Sequence, residues 1–522
     1  MSLRVSWRST GDTASEDVAM DDAQTPWSTT LGVWTAGRQL SNWLFPKPSH
    51  IVSFPSLTSA TQQNTTPHNF HHAAPSSWSH YGSNEVVIDN PSYQMQSKHH
   101  VNTIPVELLG EIFVHYSRIT DDLPSSRTRP FGCIAVTKNA INSPITLGRV
   151  CSYWRALSLS MPTLWSSISV HRPTPRDVPI FSEWLARSGS CPLDLTVVQI
   201  SPEEGLQDVA IQQILHLAIS QRQRWRHLSL YLYSNVESIF SSLEGNAFDR
   251  LEGLELDVID WTHGSASQLC RAFYSSPNLK QIRFENSWSH QALLSEAPWE
   301  RLQIVDIGIM DSTQLFPLLS RAVNLQRLSI SCLAGPTKGQ IPEKLRLPNL
   351  SSFGIRLVDD VANIFENLLL PSLSELQLRG GFGRSANPKL AWTMLQGCLL
   401  ASGSKIRTLY CAQMAKAEDT LIEMLSSPIM SDIVSLTLQS RITNATLLAL
   451  SCQNSALILP RMQTLMLWAA HPSGNAFSSM VLSRRRYSSN LSFVHAVLFG
   501  KDAKSEQGFC IPGLISNVTH QY

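Results

Sequence analysis

Leu373-Ser374-Glu375-Leu376-Gln377-Leu378 carries the pattern that decides the fold: two apolar residues three apart, then a third two further on. The stretch before it repeats the spacing as Leu350/Phe353/Ile355, and the stretch after it as Ile406/Leu409/Cys411. Toward the N-terminus the triplet recurs at Leu325/Leu328/Ile330, Leu302/Val305/Ile307, Leu279/Ile282/Phe284, Leu251/Leu254/Leu256 and Trp225/Leu228/Leu230; toward the C-terminus it recurs at Ile433/Leu436/Leu438 and Met462/Leu465/Leu467. Ten units thus follow one another at intervals of 23 to 33 residues. Side chains alternate across a strand, so the fourth and sixth positions of each unit point to one side. The rest of each unit is long enough for a crossover helix, which lets the next strand lie parallel. One unit cannot bury its own apolar face, whereas stacked units bury a continuous core and present a broad open surface. The expected fold class is α/β, a solenoid with a parallel sheet.

Composition bounds the rest. Of 522 residues, 43% are hydrophobic, and 41 Lys and Arg against 40 Asp and Glu leave a formal charge of +1. A near-neutral chain lacks the electrostatic footprint of a nucleic-acid or anionic-membrane binder, so neither partner is expected. No run approaches the ~20 apolar residues of a spanning helix, and the N-terminus has no apolar signal core. Nine cysteines without a Cys-x-x-Cys pair predict free thiols of a reducing compartment, cytoplasmic or nuclear. In such a compartment the Asn-x-Ser/Thr triplets at Asn64, Asn349, Asn444, Asn490 and Asn517 have no glycosylation meaning.

Residues 1–100 are rich in Ser, Thr, Asn, Gln, Pro and His without sustained periodicity, the composition of a disordered segment. Its cluster His68, His71, His72 and His80 has no Cys or paired carboxylate to complete a metal site. No phosphate-loop, nucleophile-elbow or His-Glu-x-x-His motif is present, and Gly380-Gly381-Phe382-Gly383-Arg384-Ser385 lacks the lysine of a phosphate loop. The expectation is a non-catalytic chain with no cofactor and no metal. Arg484-Arg485-Arg486 is a short basic run that reads as a solvated turn, with an import signal or a contact for an acidic partner as the alternatives.

Order begins at Ile104-Pro105-Val106-Glu107-Leu108-Leu109-Gly110-Glu111-Ile112-Phe113, where a proline and an early glutamate suit a helix N-terminus. Leu108, Leu109, Ile112, Phe113 and Tyr116 then make an apolar stripe. After a polar stretch from Ser117 to Asn142, Ser143-Pro144 opens a second helix with Leu147, Val150, Cys151, Trp154 and Leu157 as its stripe. Pro162-Thr163-Leu164-Trp165 follows. A block this small must lean on a neighbour.

The order Ile-Pro-x-Glu-Leu-Leu-x-x-Ile-Phe, then Val-Cys-x-x-Trp-Arg, then Pro-x-Leu-Trp resembles an F-box, in the variant common among fungal F-box proteins. The most specific part is Leu147 to Leu157 running into Ser160 to Trp165. The resemblance covers about Asn102 to Val170 and implies a small all-helical module that docks on the Skp-type adaptor of a cullin-based ubiquitin ligase. The repeats behind it resemble the leucine-rich class of substrate receptor. By the same resemblance Ile104, Pro105, Leu108, Ile112, Val150, Cys151 and Trp154 form the adaptor-facing surface or the packing under it. A helix pair too small to bury all its apolar residues exposes some of them, and such patches mark partners. Contact is expected for Pro105 and Leu108; internal packing is expected for Leu109, Phe113, Leu157 and Trp165. The loop from Ser117 to Asn142 exceeds the family pattern, and the repeats lack the asparagine of that class three residues after the sixth position, so an irregular solenoid is expected.

The domain reading is therefore a disordered segment (1–100), an F-box-like module (101–171), a leucine-rich-repeat-like solenoid that binds an unidentified protein target (192–470), and a tail (471–522) with a strand at Phe493 to Phe499. Residues flanking the sixth position face away from the core. Glu255, Asp257, Arg283, Glu285 and Asp306 come from early units, and Arg356, Arg379, Tyr410 and Trp468 from later ones, so the open face is expected to run from acidic to basic. The competing reading is a free-standing scaffold in which the F-box-like segment is only the N-terminal cap.

Overall fold

A computed structural model describes residues 104–118, 134–135, 143–199, 206–243, 248–284, 291–334, 344–357, 362–380, 388–413, 418–452, 457–487, 490–499 and 515–521. The expectations for residues 1–100, Glu285 and the glycine-rich turn after Gly380 lie outside the described residues.

The strands are β1 (Ile134–Ala135), β2 (Ser167–His171), β3 (Leu193–Val198), β4 (Trp225–Tyr233), β5 (Gly253–Ile259), β6 (Gln281–Phe284), β7 (Ile304–Asp311), β8 (Arg327–Ala334), β9 (Leu345–Arg346), β10 (Ser352–Leu357), β11 (Leu368–Leu369), β12 (Glu375–Gly380), β13 (Thr408–Ala412), β14 (Ser435–Gln439), β15 (Thr464–Ala470), β16 (Phe493–Phe499) and β17 (Ile515–Gln521). All but β9 and β11 join one parallel sheet in sequence order, which makes the chain a solenoid of the leucine-rich-repeat kind. The fourth position of every triplet sits beside its counterpart: Leu228, Leu254, Ile282, Val305, Leu328, Phe353, Leu376, Leu409, Leu436 and Leu465 form one row. None of them is more than 2% exposed, so the row is the spine of the core. The sheet continues on both sides of residues 192–470. Trp165/Ile168/Val170 before it and Leu491/Val494/Ala496 after it share the triplet spacing, and β16 spans the residues expected of a strand.

Unit length varies with the connecting segment. The 33-residue unit beginning at Leu373 carries the 15-residue helix Pro388–Ser402. The 23-residue unit beginning at Leu350 carries only the short helix Ala362–Phe365 and β11. Asparagine does recur at the turns, but one residue before the triplet and in four units only. Asn278, Asn324, Asn349 and Asn490 donate through Nδ2 to Asp249, Glu300, Val323 and Pro460 carbonyls of the preceding unit, at 2.5, 2.7, 2.9 and 3.0 Å. Just inside it, backbone N–H groups step from Glu252 to Lys280, Gln303, Gln326, Ser351, Ser374, Arg407, Val434, Gln463 and Ser492, each bonding the preceding unit. The turn amides are satisfied in this way. At three strand ends the chain turns through a left-handed residue, Arg172 (φ 53°), Asp260 (φ 60°) and Gln413 (φ 58°).

Arg484 is not part of an exposed basic run. It is buried and donates to the carbonyls of Leu450, Ile458 and Leu459 at 2.7, 3.0 and 2.7 Å, while Arg485 bonds the Leu491 carbonyl at 3.0 Å. Burial lowers the Arg484 guanidinium to about 10. A side chain held this way ties two units together and is unavailable to a receptor. The described cysteines are free thiols, and burial pushes Cys270 up to about 12 and Cys398 up to about 11, which keeps them protonated and inert. Among the described residues no helix is long and apolar enough to cross a membrane, and no cluster of His, Cys, Asp and Glu could hold a metal ion.

Candidate functional site: the helical head and the open sheet face

The head is built from helices Val106–Arg118, Pro144–Leu147 and Ser152–Ser160. The first helix starts after Pro105, with Glu107 in the turn where a negative charge meets the positive end of the dipole. Leu109 and Phe113 project inward and are fully buried. Ser143 Oγ accepts the N–H of Ile145 at 3.2 Å and opens the second helix. Cys151 Sγ caps the third by accepting the N–H of Trp154 at 3.4 Å, and Arg155 Nε crosses to the Gly148 carbonyl at 2.9 Å. The Trp154 ring tilts against Phe113 with centroids 4.8 Å apart.

The outward side of this bundle carries a cluster of large apolar side chains. Leu108 is 58% exposed, Ile112 48% and Val150 59%, with Val106, Ile145, Tyr153 and Leu159 also exposed. Pro105 stands beside them in solvent. Between the helices lies an open groove of about 270 Å³ walled by Ile112, Phe113, Tyr116, Thr146, Leu147, Val150 and Trp154. Of the seven residues expected at the adaptor surface, Pro105, Leu108, Ile112 and Val150 are exposed, and Trp154 lines the groove half-buried. Cys151 acts as a helix cap, and Ile104 packs against the core. The head is continuous with the solenoid. Trp165 is buried, donates through Nε1 to the Ser158 carbonyl at 2.8 Å, and meets Trp184 edge-on at 5.1 Å, while β1 pairs with β2 at the sheet edge. Leu157 is only partly buried, whereas Leu109, Phe113 and Trp165 are sealed.

The second surface is the face of the sheet opposite the core. Its middle row runs Ser229, Glu255, Arg283, Asp306, Ser329, Gly354, Gln377, Tyr410, Thr437, Met466 and His495 in register. Its early part departs from the expectation of exposed acids: Glu255 is 2% exposed and Asp257 6%. Parallel strands bring the face side chains of neighbouring units together, so the charges meet each other before they meet solvent. Ser229 Oγ donates to Glu255 at 2.9 Å, Tyr231 donates to its other oxygen, and Arg283 bridges Glu255 at 3.3 Å and Asp306 at 3.1 Å. Burial works to lower the Arg283 pKa, but the Glu255 and Asp306 charges hold it above the ordinary value. Asp194 is enclosed similarly by Arg226 and His227; burial works to raise its pKa, and these two partners keep it below the usual range.

The later part of the face is less closed. Arg356 is half-buried, and removal from water lowers its pKa. Arg379 donates to Ser331 Oγ at 3.3 Å, and Tyr410 donates to Gln439. The Trp468 ring lies 4.7 Å from that of His495, a residue sequence reasoning missed because its strand falls in the expected tail. Trp468 Nε1 and His495 Nε2 are buried without a hydrogen-bond partner among the described residues, and burial lowers the His495 pKa.

No family model and no curated protein matches the chain. Solved structures do. One is the crystal structure of the Rad7 and Elc1 complex in yeast, whose matching chain is 17% identical at a TM-score of 0.36, with 78% of this chain and 93% of that chain covered. Another is a protein from Bacteroides fragilis, 14% identical at a TM-score of 0.30, with 58% and 78% covered.

Proposed function

We propose that this chain is a non-catalytic substrate receptor of a cullin-based ubiquitin ligase. The F-box-like head docks on a Skp-type adaptor and through it on cullin, and the open sheet face holds a protein target in the cytoplasm or nucleus. The observation that carries the reading is the distribution of exposed large apolar side chains. Seven of the fourteen among the described residues, Val106, Leu108, Ile112, Ile145, Val150, Tyr153 and Leu159, belong to the head. Two of them, Ile112 and Val150, wall the groove together with Trp154. An apolar patch concentrated on so small an element marks a protein partner. The receptor's contribution is proximity: it raises the concentration of target lysines around a conjugating enzyme carried by associated subunits.

The rival scaffold reading has one observation in its favour. The head seals the N-terminal edge of the core through Leu109, Phe113 and Trp165, as a cap must. A cap alone requires a polar outer face, and this one exposes seven large apolar side chains. Co-expression with a Skp-type adaptor separates the two. The receptor reading expects a stable complex with the intact chain that Leu108→Asp together with Ile112→Asp abolishes; failure of the intact chain to retain the adaptor favours the scaffold.

A further inference from the structure

We propose that the cavity between the 3-10 helix Ser234–Leu243 and the helix His263–Tyr274 is a binding site for a sugar ring, free or carried as a glycan. The inference goes beyond the receptor reading and does not depend on it. The two helices belong to successive units, the first following β4 and the second following β5, and they leave between them an open space of about 340 Å³. That is the size of a small-molecule site. Its buried lining is Phe240, Trp261 and Leu269, with the two rings tilted at 52° and their centroids 5.6 Å apart. Its more accessible lining is polar. Ser234, Ser238 and Ser241 come from one helix, and Ser265 and Gln268 from the other.

The chemistry of this lining selects the ligand. Among the described residues no Lys, Arg or His lines the cavity, so a phosphate or carboxylate finds no counter-charge there. Its one formal charge, Glu237, accepts Thr262 Oγ1 at 2.7 Å and the Thr262 N–H at 3.4 Å, closing the start of the next helix much as Glu418 does for Asn444–Leu450. Burial works to raise the Glu237 pKa, but the Ser265 and Thr262 hydroxyls hold it below its ordinary value. A carboxylate supplied with neutral donors at the positive end of a helix dipole does not require a cation, and it keeps lone pairs for further O–H donors. Trp261 makes the opposite demand. It is 6% exposed, and its Nε1 is buried without a partner among the described residues; an indole N–H only donates, so the group it lacks is an acceptor. A ligand that meets both demands carries donors and acceptors together. Hydroxyl groups are both, as are the serine hydroxyls facing them, and an aliphatic C–H face suits the aromatic lining. A sugar ring joins these features in one neutral molecule.

The test is saturation-transfer NMR on the full chain with glucose, galactose, mannose and N-acetylglucosamine at millimolar concentration, and with acetate and methylammonium as charged controls. Transfer to the ring protons of at least one sugar is expected, and none to the controls. Ser238→Trp, which fills the mouth from an exposed position, is expected to weaken the sugar at least about tenfold, and Trp261→Phe, which keeps a ring and removes the N–H, about fivefold. Arg461→Ala, at an arginine paired with Asp432 in a distant unit, is expected to leave binding unchanged. Three results overturn the inference: no sugar bound, a charged control bound as well as any sugar, or unchanged sugar binding by Ser238→Trp at an unchanged thermal midpoint. Where Ser238→Trp lowers the midpoint, Gln268→Ala is read in its place by the same criterion. A glycoprotein and its enzymatically deglycosylated form, passed over the immobilised chain, separate the sources. Retention of the glycosylated form alone assigns the site to a protein-borne glycan, and retention of neither leaves a free sugar as the ligand. Retention of both alike, lost in Ser238→Trp, would make the ligand a peptide and overturn the inference. Adaptor retention is measured on the same preparations and is expected whatever the sugar result, so failure of either reading is seen separately.

Discussion

The helical head and the solenoid dispose of their apolar side chains differently. On Val106–Arg118, Leu109 and Phe113 are sealed, while Leu108 and Ile112, one position away from each, stand in solvent. On His263–Tyr274, within the stack, Leu269, Cys270 and Phe273 are sealed and the exposed positions are His263, Gly264 and Arg271. This helix has neighbouring units to cover its inner side, and its outer side is polar. The head has a neighbour on one side only, yet its other side has not become polar. A solenoid needs its terminal element to end the core, and ending the core does not require Leu108, Ile112 or Val150 to be apolar. The residues that satisfy folding and the residues that await a partner are thus separable on one short helix.

The contrast can be broken at the junction or sharpened within the stack. The largest effect is expected at Trp165, which fills the space between head and solenoid, stacks edge-on against Trp184 and lies under the Arg187 guanidinium at 4.6 Å. Trp165→Ala should cost about 4 kcal/mol and lower the midpoint of a single urea transition. Two separate transitions would mean that the head folds independently, and the comparison would fail.

A smaller effect is expected at Glu418, which accepts from the N–H and Oγ1 of Thr443 at 2.8 and 3.1 Å and from those of Thr446 at 3.3 and 2.6 Å. These bonds close the N-terminus of helix Asn444–Leu450 in the next unit. Burial works to raise the Glu418 pKa, but the threonine bonds hold it below its ordinary value of 4.5. A carboxylate depressed in the folded state adds stability above its unfolded pKa and loses that contribution as pH falls through the folded value. Glu418→Ala should therefore cost about 1 kcal/mol at neutral pH, as caps do, with the gap closing in acid. Urea titrations of both proteins across that range measure it, and adaptor binding should be unaffected because the change lies in the stack.

Much of this architecture is readable from spacing alone. The triplets locate every strand of the main sheet from Trp225 to Ala470 because a strand's alternation and a unit's length are both one-dimensional. The groups that close the turns are not identified by spacing, although Asn278, Asn324, Asn349 and Asn490 stand in plain view one residue before Leu279, Leu325, Leu350 and Leu491. Only the register of parallel strands says which carbonyl each one reaches. The same limit applies to Glu255 and Asp257. Alternation puts them on the open face, but Glu255 is enclosed by Ser229, Tyr231 and Arg283 on adjacent strands, more than twenty residues away. In the head, the side-by-side leucines Leu108 and Leu109 were separable because a helix of this pitch turns them about 100° apart.

The most direct measurement of the central claim is amide hydrogen exchange on the full chain with and without a purified Skp-type adaptor. The account predicts slowed exchange confined to Val106–Arg118 and Ser152–Ser160, lost in Leu108→Asp while the urea midpoint stays within about 0.5 kcal/mol of the parent. Unchanged exchange in both helices at saturating adaptor, or protection that survives Leu108→Asp, would contradict it.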